Sequence, residues 1–251
     1  MSSRITDLTQ RQAAVLSGLA YVVISVLGVY ANFAVFERLT VSDDAAATFA
    51  NIVDDEVLYR TGVAAFVVVF IADIVVAWGL YAFFKRTSPD LSLLAAWLRL
   101  VYAGIAGAAT LHLLVVGQLI DDSGYATAIE SGERQVQVML ALDSYTYGWS
   151  IGLVVFGAHL LVLGYVMVKS VDAPRVLGML VALAGAGYVV SQLALVLLPD
   201  YEDYADAFTM LTVVLAIPGE FGLIGWLLWR AGKDGHTHDR REETVDAESL
   251  T

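Results

Sequence analysis

The stretch FVVVFIADIVVAWGLYAFF, residues 66–84, is almost entirely apolar but carries one acidic side chain, Asp73. A helix of this length rises about 28 Å at 1.5 Å per residue, close to the thickness of a bilayer's hydrocarbon core, about 30 Å. A carboxyl group near the middle of such a helix is unfavourable in lipid, so it has to face other helices. The stretch therefore predicts a membrane-spanning helix within a bundle, with a polar site inside the bundle at Asp73.

Five further apolar blocks accompany this one. The chain is 58% hydrophobic and 16% charged, whereas a soluble domain is about half apolar and about a quarter charged. Long uninterrupted blocks are typical of transmembrane helices, and they lack the alternation of transmembrane β-strands. We therefore predict an all-α fold, a polytopic integral membrane bundle of six transmembrane helices, with blocks at roughly residues 14–36, 62–84, 91–120, 148–168, 176–198 and 209–229.

The basic residues are distributed unequally between the two ends of these helices. If six helices alternate in direction, most Lys and Arg residues lie on the side of both termini, and Arg99 lies within a helix. Because cytoplasmic loops are enriched in Lys and Arg, we predict a multi-pass protein of the cell membrane with both termini in the cytoplasm. The cytoplasmic set is Arg4, Arg11, Lys85, Arg86, Lys169, Arg175, Arg230, Lys233, Arg240 and Arg241, and the outer set is Arg38, Arg60 and Arg134.

Two outer loops and both termini complete the predicted layout. Ser42 can cap a helix that carries Phe49 and Ile52 at helical spacing, and residues 133–142 predict a second short amphipathic helix. We expect both to lie along the outer surface and cover the bundle. The predicted domains are a cytoplasmic segment at 1–13, a transmembrane domain at 14–230 and a highly charged, disordered cytoplasmic tail at 231–251.

Glycines recur along the fourth and fifth predicted helices. Gly148 and Gly152 form a pair of small residues four apart, and Gly157 and Gly164 continue along the same helix. Small residues let membrane helices approach each other closely. We therefore expect tight packing here, with Gly185 contributing from the fifth helix.

Four ionisable residues are predicted to lie at one depth in the bilayer. Each is nine to twelve residues from the inner end of its helix, which places it about 14–18 Å from the inner boundary. A charge at this depth costs at least about 2.5–3.5 kcal/mol, so the four are expected to face inward and to pair. The candidate cluster consists of Asp73, Arg99, His159 and Glu220, with Tyr21, Ser25 and Tyr188 able to reach the same layer.

The order of the helices suggests how the four residues pair. Consecutive helices are usually neighbours, which pairs Asp73 with Arg99 and leaves Glu220 for His159. The positive and negative charges of the four residues nearly cancel, and this makes His159 or Glu220 a candidate proton acceptor. Pro218 precedes Glu220 by two residues and predicts a kinked helix, and broken helices near the midplane are typical of transporter binding sites.

Three classes of function remain open for this layer. The first is binding or transport of a small solute or a proton through the cluster. The second is a structural or regulatory membrane protein in which buried ion pairs only hold the bundle together. The third is an intramembrane enzyme that uses Glu220 or His159 as acid or base.

Other classes have little support in the sequence. The net charge is −12 and there is no basic face for nucleic acid. Acidic loops with few lysines indicate adaptation to high salt. We predict no cofactor and no metal: His112 and His159 lie about 15 Å apart in height, too far for a shared haem, and Arg99 would repel a cation held by Asp73, His159 and Glu220.

Seven pieces of the chain together carry a family resemblance. They are GLAYVVISVLG (18–28), DDAAATFANI (43–52), ADIVVAW (72–78), WLRLVYA (97–103), DSYTYGWSIGLVVFGAHLLVLGY (143–165), PRVLG (174–178) and GEFGLIGWLL (219–228). These pieces resemble one bacterial and archaeal membrane family, domain of unknown function 4386, and the resemblance extends from about residue 10 to residue 230. It implies a multi-span integral membrane protein and assigns no activity to any residue. Asp73, Arg99, His159 and Glu220 all lie within the matching pieces.

Overall fold

The fold is a bundle of long helices. A computed structural model describes residues 8–121 and 124–248, with side chains for residues 8–121 and 126–232. Six helices are long and apolar enough to cross a membrane, and the described residues contain no β-strand, which confirms the predicted all-α class. The helices are α1 (Gln10–Leu39), the short α2 (Ala45–Asp54), α3 (Glu56–Phe84), α4 (Pro89–Leu119), α5 (Ser131–Lys169), α6 (Arg175–Leu197) and α7 (Ala205–Glu248).

The six long helices form a closed ring in chain order. Each packs against the next one along the chain, and α7 packs against α1. We call the end at which α1 begins the base, and the opposite end, which carries α2, the cap end. Buried apolar side chains fill the interior in two clusters, one in each half of the bundle. The outward faces are also apolar, with exposed side chains such as Val26, Ile71 and Val101, as expected of a surface that contacts lipid.

The first predicted surface helix is present as α2, but it begins two residues later than predicted. Asp43 has a φ of 60°, in the left-handed region, so the chain turns at this residue. Asp44 is consequently the N-cap, and its Oδ1 accepts a hydrogen bond from the backbone N–H of Ala47 at 2.8 Å. The predicted cap, Ser42, lies outside the helix.

The second predicted surface helix is not a separate element. Residues 133–142 form the first turns of α5, which runs unbroken from Ser131 to Lys169. No proline or glycine occurs between Glu133 and Tyr147, so nothing ends the helix where the chain enters its apolar part. At about 58 Å, α5 is longer than a bilayer core, and its cap-end turns pack against α2.

Glycines bring α5 and α6 into backbone contact. A Cβ atom built on Gly157 would lie 2.7 Å from the carbonyl oxygen of Gly185, and one built on Gly164 would lie 2.6 Å from that of Gly178. Real Cβ atoms do not approach other atoms this closely. Only glycine fits these positions, and the predicted close approach of the two helices is confirmed.

The last helix, α7, runs continuously through Pro218 and Glu220. It is therefore not interrupted at Glu220, and the predicted kink there stays a prediction. It also continues past residue 231 to Glu248, where a disordered tail was predicted; residues 249–251 lie outside the described part.

Candidate functional site

Arg99 is the centre of a buried polar cluster that joins four helices. Its Nε and Nη2 atoms both donate to Oδ1 of Asp73, at 2.9 and 2.6 Å. Its Nη1 atom donates to the hydroxyl oxygen of Tyr21 at 2.6 Å. Arg99 is 1% exposed and Asp73 is 0% exposed. The predicted pair of Asp73 on α3 with Arg99 on α4 is therefore present, and Tyr21 on α1 reaches the same layer.

Two aromatic rings enclose the guanidinium group. The Cζ atom of Arg99 lies 4.5 Å from the ring centroid of Tyr21 and 5.3 Å from that of Phe156. Arginine is weakly hydrated and stacks on aromatic faces, so it tolerates such an environment better than lysine would. The two rings replace part of the hydration that the cation loses on burial.

His159 is the fourth member of the cluster, and its hydrogen bonds define its protonation. Its Nδ1 atom lies 2.8 Å from the carbonyl oxygen of Ala95, one turn before Arg99. A carbonyl oxygen only accepts, so Nδ1 carries the proton and donates. Its Nε2 atom lies 3.3 Å from Nη1 of Arg99, which only donates, so Nε2 accepts. Both ring nitrogens are engaged in hydrogen bonds, as in a neutral imidazole; the expectation that His159 accepts a proton stays a prediction.

One carboxylate oxygen of the cluster is left without a partner. Oδ2 of Asp73 is buried and forms no hydrogen bond with any described residue, because both donors from Arg99 go to Oδ1. A buried charge is stabilised mainly by its counter-ion, so Asp73 depends on Arg99. We define the buried ion-pair cluster as Tyr21, Asp73, Arg99 and His159, and each of the four is at most 2% exposed.

Glu220 belongs to a second polar group beside this cluster. Oε1 of Glu220 accepts a hydrogen bond from the hydroxyl of Tyr188 on α6 at 2.8 Å. The predicted pairing of Glu220 with His159 is wrong, since His159 is held by Arg99 and Ala95. Glu220 and Tyr188 are half-buried, whereas the four members of the buried ion-pair cluster are buried.

Phe156 on α5 lies between the two polar groups. Its ring centroid is 5.3 Å from the guanidinium carbon of Arg99 and 5.4 Å from the ring centroid of Tyr188. The sequence analysis missed this residue because an aromatic side chain in an apolar block is no signal of its own. Its spacing of three residues before His159, which places both on one helix face, is the only indication the sequence offers.

A groove opens beside Glu220 on the side of the bundle. It has a volume of about 300 Å³ and is lined by four residues of α1 between positions 24 and 29, by seven residues of α7 between positions 212 and 224, and by Tyr188. We call it the lateral groove, because exposed side chains such as Ile217 and Phe221, 53% and 57% exposed, lie along it. Ser25, a predicted member of the polar layer, lines this groove together with Glu220.

The groove exists because α1 and α7 separate towards the cap end. Near the base they touch: a Cβ atom on Gly18 would lie 2.8 Å from Cδ2 of Leu228. The contact is reinforced by a hydrogen bond of 3.2 Å from Nε of Arg11 to the carbonyl oxygen of Ala231. Farther along α1, a Cβ atom on Gly28 would meet no atom within 4 Å. The space between α1 and α7 is therefore open from the middle of the bundle towards the cap end.

Two other cavities lie away from Glu220. One, of about 10 Å³, is lined by His159 and by Ser92, whose buried Oγ has no partner among the described residues; this is the size that holds one water molecule. The other, of about 490 Å³, lies between α3 and α4 at the cap end and is lined by Arg60, Gln118 and Asp121. Asp73 and Arg99 line none of the three.

The structure provides no metal-binding constellation in its described part. Among the described residues, no three His, Cys, Asp or Glu side chains lie close enough to hold a metal ion. His112, which the sequence analysis separated from the cluster, is exposed on α4. The chemistry available at mid-depth is thus a neutralised ion pair and one carboxyl group bound to a tyrosine.

Comparison with known proteins gives a family but no activity. The family model described as Domain of unknown function (DUF4386) matches residues 16–231. An uncharacterized protein of Archaeoglobus fulgidus is 28% identical over 165 residues, which cover 66% of this chain and 80% of that protein. No solved structure matches the chain. The chain belongs to the domain of unknown function 4386 family, as the sequence resemblance predicted.

Proposed function

We propose that this member of the family is an integral membrane protein that binds a small, largely apolar molecule from the lipid phase in its lateral groove. The observation that supports this is the groove itself, which brings a carboxyl group, Glu220, within reach of the surrounding lipid. Its volume, about 300 Å³, is at the lower end of the range for small-molecule sites, about 300–1,000 Å³. Apolar walls with few polar groups are typical of such sites.

The binding site in this proposal is one part of the predicted polar layer. Glu220, Tyr188 and Ser25 line the groove, while the buried ion-pair cluster stands behind Phe156. A route for a solute or a proton through that cluster would need a cavity that reaches Asp73 or Arg99. Neither residue lines any of the three cavities described above, so we assign the cluster to stability and the groove to binding.

The second candidate, a structural or regulatory protein, is favoured by the state of Arg99. Four of the five N–H donors of its guanidinium group go to partners within the bundle, which leaves little capacity for a ligand. An intramembrane enzyme has less support, because both nitrogens of His159 are already engaged.

Filling the groove tests the proposal. Gly28 lines the groove, and a side chain at this position meets no atom within 4 Å, so Gly28→Leu should fill the space without disturbing the fold. The matched control is Gly104→Leu on α4, because a side chain there also meets no atom within 4 Å and this exposed glycine does not line the groove. Each protein is reconstituted in lipid nanodiscs and irradiated with a long-chain alcohol that carries a diazirine, and labelled peptides are identified by mass spectrometry.

We expect labelling to concentrate on residues 24–29 and 212–224 in the wild type and in Gly104→Leu, and to be lost from them in Gly28→Leu. Uniform labelling of all lipid-facing helices, unchanged by Gly28→Leu, would contradict binding in the groove. The structural candidate would then be preferred.

A further inference from the structure

We infer that the ligand of the lateral groove is a single-chain amphiphile with a protonated amine head, which pairs with Glu220. This inference rests on the proposed function and specifies the chemical class of the molecule. It is carried by the charge of the groove, its depth in the bundle and its opening towards lipid.

Glu220 is the only charged side chain among the residues that line the groove. Among the described residues, its hydrogen-bond partner is the hydroxyl of Tyr188. No basic side chain of residues 8–121 and 126–232 forms a salt bridge with it, and the nearby cation, Arg99, is held by Asp73. Of the two acidic residues at this depth, Asp73 is paired with Arg99. Glu220 has no basic partner among the described residues, and it borders the groove.

An ammonium group complements this carboxyl group better than other heads do. It offers three N–H donors and a positive charge, whereas an alcohol offers one donor and no charge. In an apolar groove the attraction between opposite charges is much stronger than in water, because the effective dielectric constant is lower. A carboxylate head would face Glu220 with a like charge. The groove consequently discriminates by charge.

The depth of Glu220 argues for a single-chain molecule rather than a phospholipid headgroup. Glu220 lies ten residues from Arg230 at the base, about 15 Å along the helix and hence close to the middle of a core about 30 Å thick. Headgroups lie at the surface of the bilayer and do not reach this level. An amine at the end of one apolar chain can do so, provided that the carboxyl group offsets its desolvation.

The shape of the groove fits one chain that enters from the side. From Thr212 to Glu220 it follows eight residues of α7, about 12 Å. Exposed apolar side chains lie along it, among them Val213 and Ile217. A chain of this length can lie along α7 with its head at Glu220, and it can enter directly from the lipid.

Competition among three ligands of equal chain length tests the inference. Decylamine, decanol and decanoate are titrated against the diazirine alcohol on the wild-type protein in nanodiscs, and protection of residues 24–29 and 212–224 is measured. We expect decylamine to protect at a concentration about tenfold or more below that of decanol, which corresponds to about 1.4 kcal/mol. Decanoate should protect least.

Two variants separate recognition by the carboxyl group from a structural effect. Glu220→Gln keeps the size of the side chain and its acceptor for Tyr188, so it should leave decanol protection unchanged and abolish the preference for decylamine. Tyr188→Phe removes the donor to Oε1 but keeps the carboxyl group, so the preference for decylamine should persist or grow. If both variants lowered decylamine binding equally, the hydrogen-bonded pair would act only as a structural unit and the inference would be wrong.

The outcomes distinguish the two proposals. Equal protection by decylamine and decanol in the wild type would overturn the amine inference while leaving binding in the groove intact. Protection by none of the three, together with labelling that Gly28→Leu does not change, would overturn both. If Glu220→Gln failed to give a monodisperse protein, the Tyr188→Phe comparison and the wild-type ligand series would still decide the question.

Discussion

At the scale of single residues, Arg99 holds the middle of the bundle together. Its hydrogen bonds reach α3 through Asp73, α1 through Tyr21 and α5 through His159. Only one of these partners carries a charge, and that partner, Asp73, is entirely buried. The two charges therefore depend on each other more than on any other group in the cluster.

Removing one member of this pair should leave the other as a buried charge without a counter-ion. We expect Asp73→Ala and Arg99→Ala each to lower the free energy of unfolding by about 3–5 kcal/mol, as is typical when one partner of a buried ion pair is removed. The double variant should be more stable than the sum of the single losses predicts. Thermal unfolding of the three variants in one detergent measures this, and additive losses would show that the residues do not act as a pair.

The pairing of Asp73 with Arg99 could be predicted because they share a depth and lie on consecutive helices. The same reasoning failed for Glu220 and His159. Equal depth does not determine the direction in which a side chain points around a ring of helices, and His159 points towards Ala95 and Arg99 on α4. Glu220 instead faces Tyr188 and the groove. Side-chain packing decides which of the polar residues at one depth are fully buried. The spacing of residues along the sequence does not determine that packing.

At the scale of helices, hydropathy predicted how many there are but not all of their ends. The apolar blocks correspond to the six long helices, because burial in lipid requires about 20 apolar residues. Hydropathy does not report where a helix continues into water. Both α5, which extends to Ser131, and α7, which extends to Glu248, are therefore longer than their apolar blocks.

The contact between α5 and α6 gives a prediction at this scale. In Gly157→Ala the added Cβ would lie 2.7 Å from the carbonyl oxygen of Gly185, so the helices must separate, with an expected loss of about 1–3 kcal/mol. The control is Gly225→Ala on α7, where no atom lies within 4 Å of the added Cβ. Because both changes raise helix propensity equally, the difference in thermal stability between the two variants isolates packing. Equal stability would contradict the close contact.

At the scale of the whole molecule, the ring is closed more firmly at its base than at its cap end. Asp172, in the loop between α5 and α6, accepts hydrogen bonds from Gln10 of α1 at 3.2 Å and from Arg230 of α7 at 3.4 Å. One short loop thus ties the first and last long helices together at the base. Towards the cap end the same two helices diverge, which leaves the lateral groove between them.

The distribution of basic residues predicts the orientation of the ring in a membrane. The base carries Arg11, Lys85, Arg86 and Lys169, whereas the cap end carries Arg38, Arg60 and Arg134. We therefore expect the base to face the cytoplasm, which would open the lateral groove towards the outer leaflet.

The chain has no cysteine, so single cysteines can report the side of each end without background. Asp200→Cys marks an exposed position at the cap end, and Asp90→Cys marks one at the base. With a membrane-impermeant maleimide, Asp200→Cys should be labelled in intact cells and Asp90→Cys only after the cells are permeabilised. The reverse pattern would invert the protein in the membrane and place the groove's opening in the cytoplasmic leaflet.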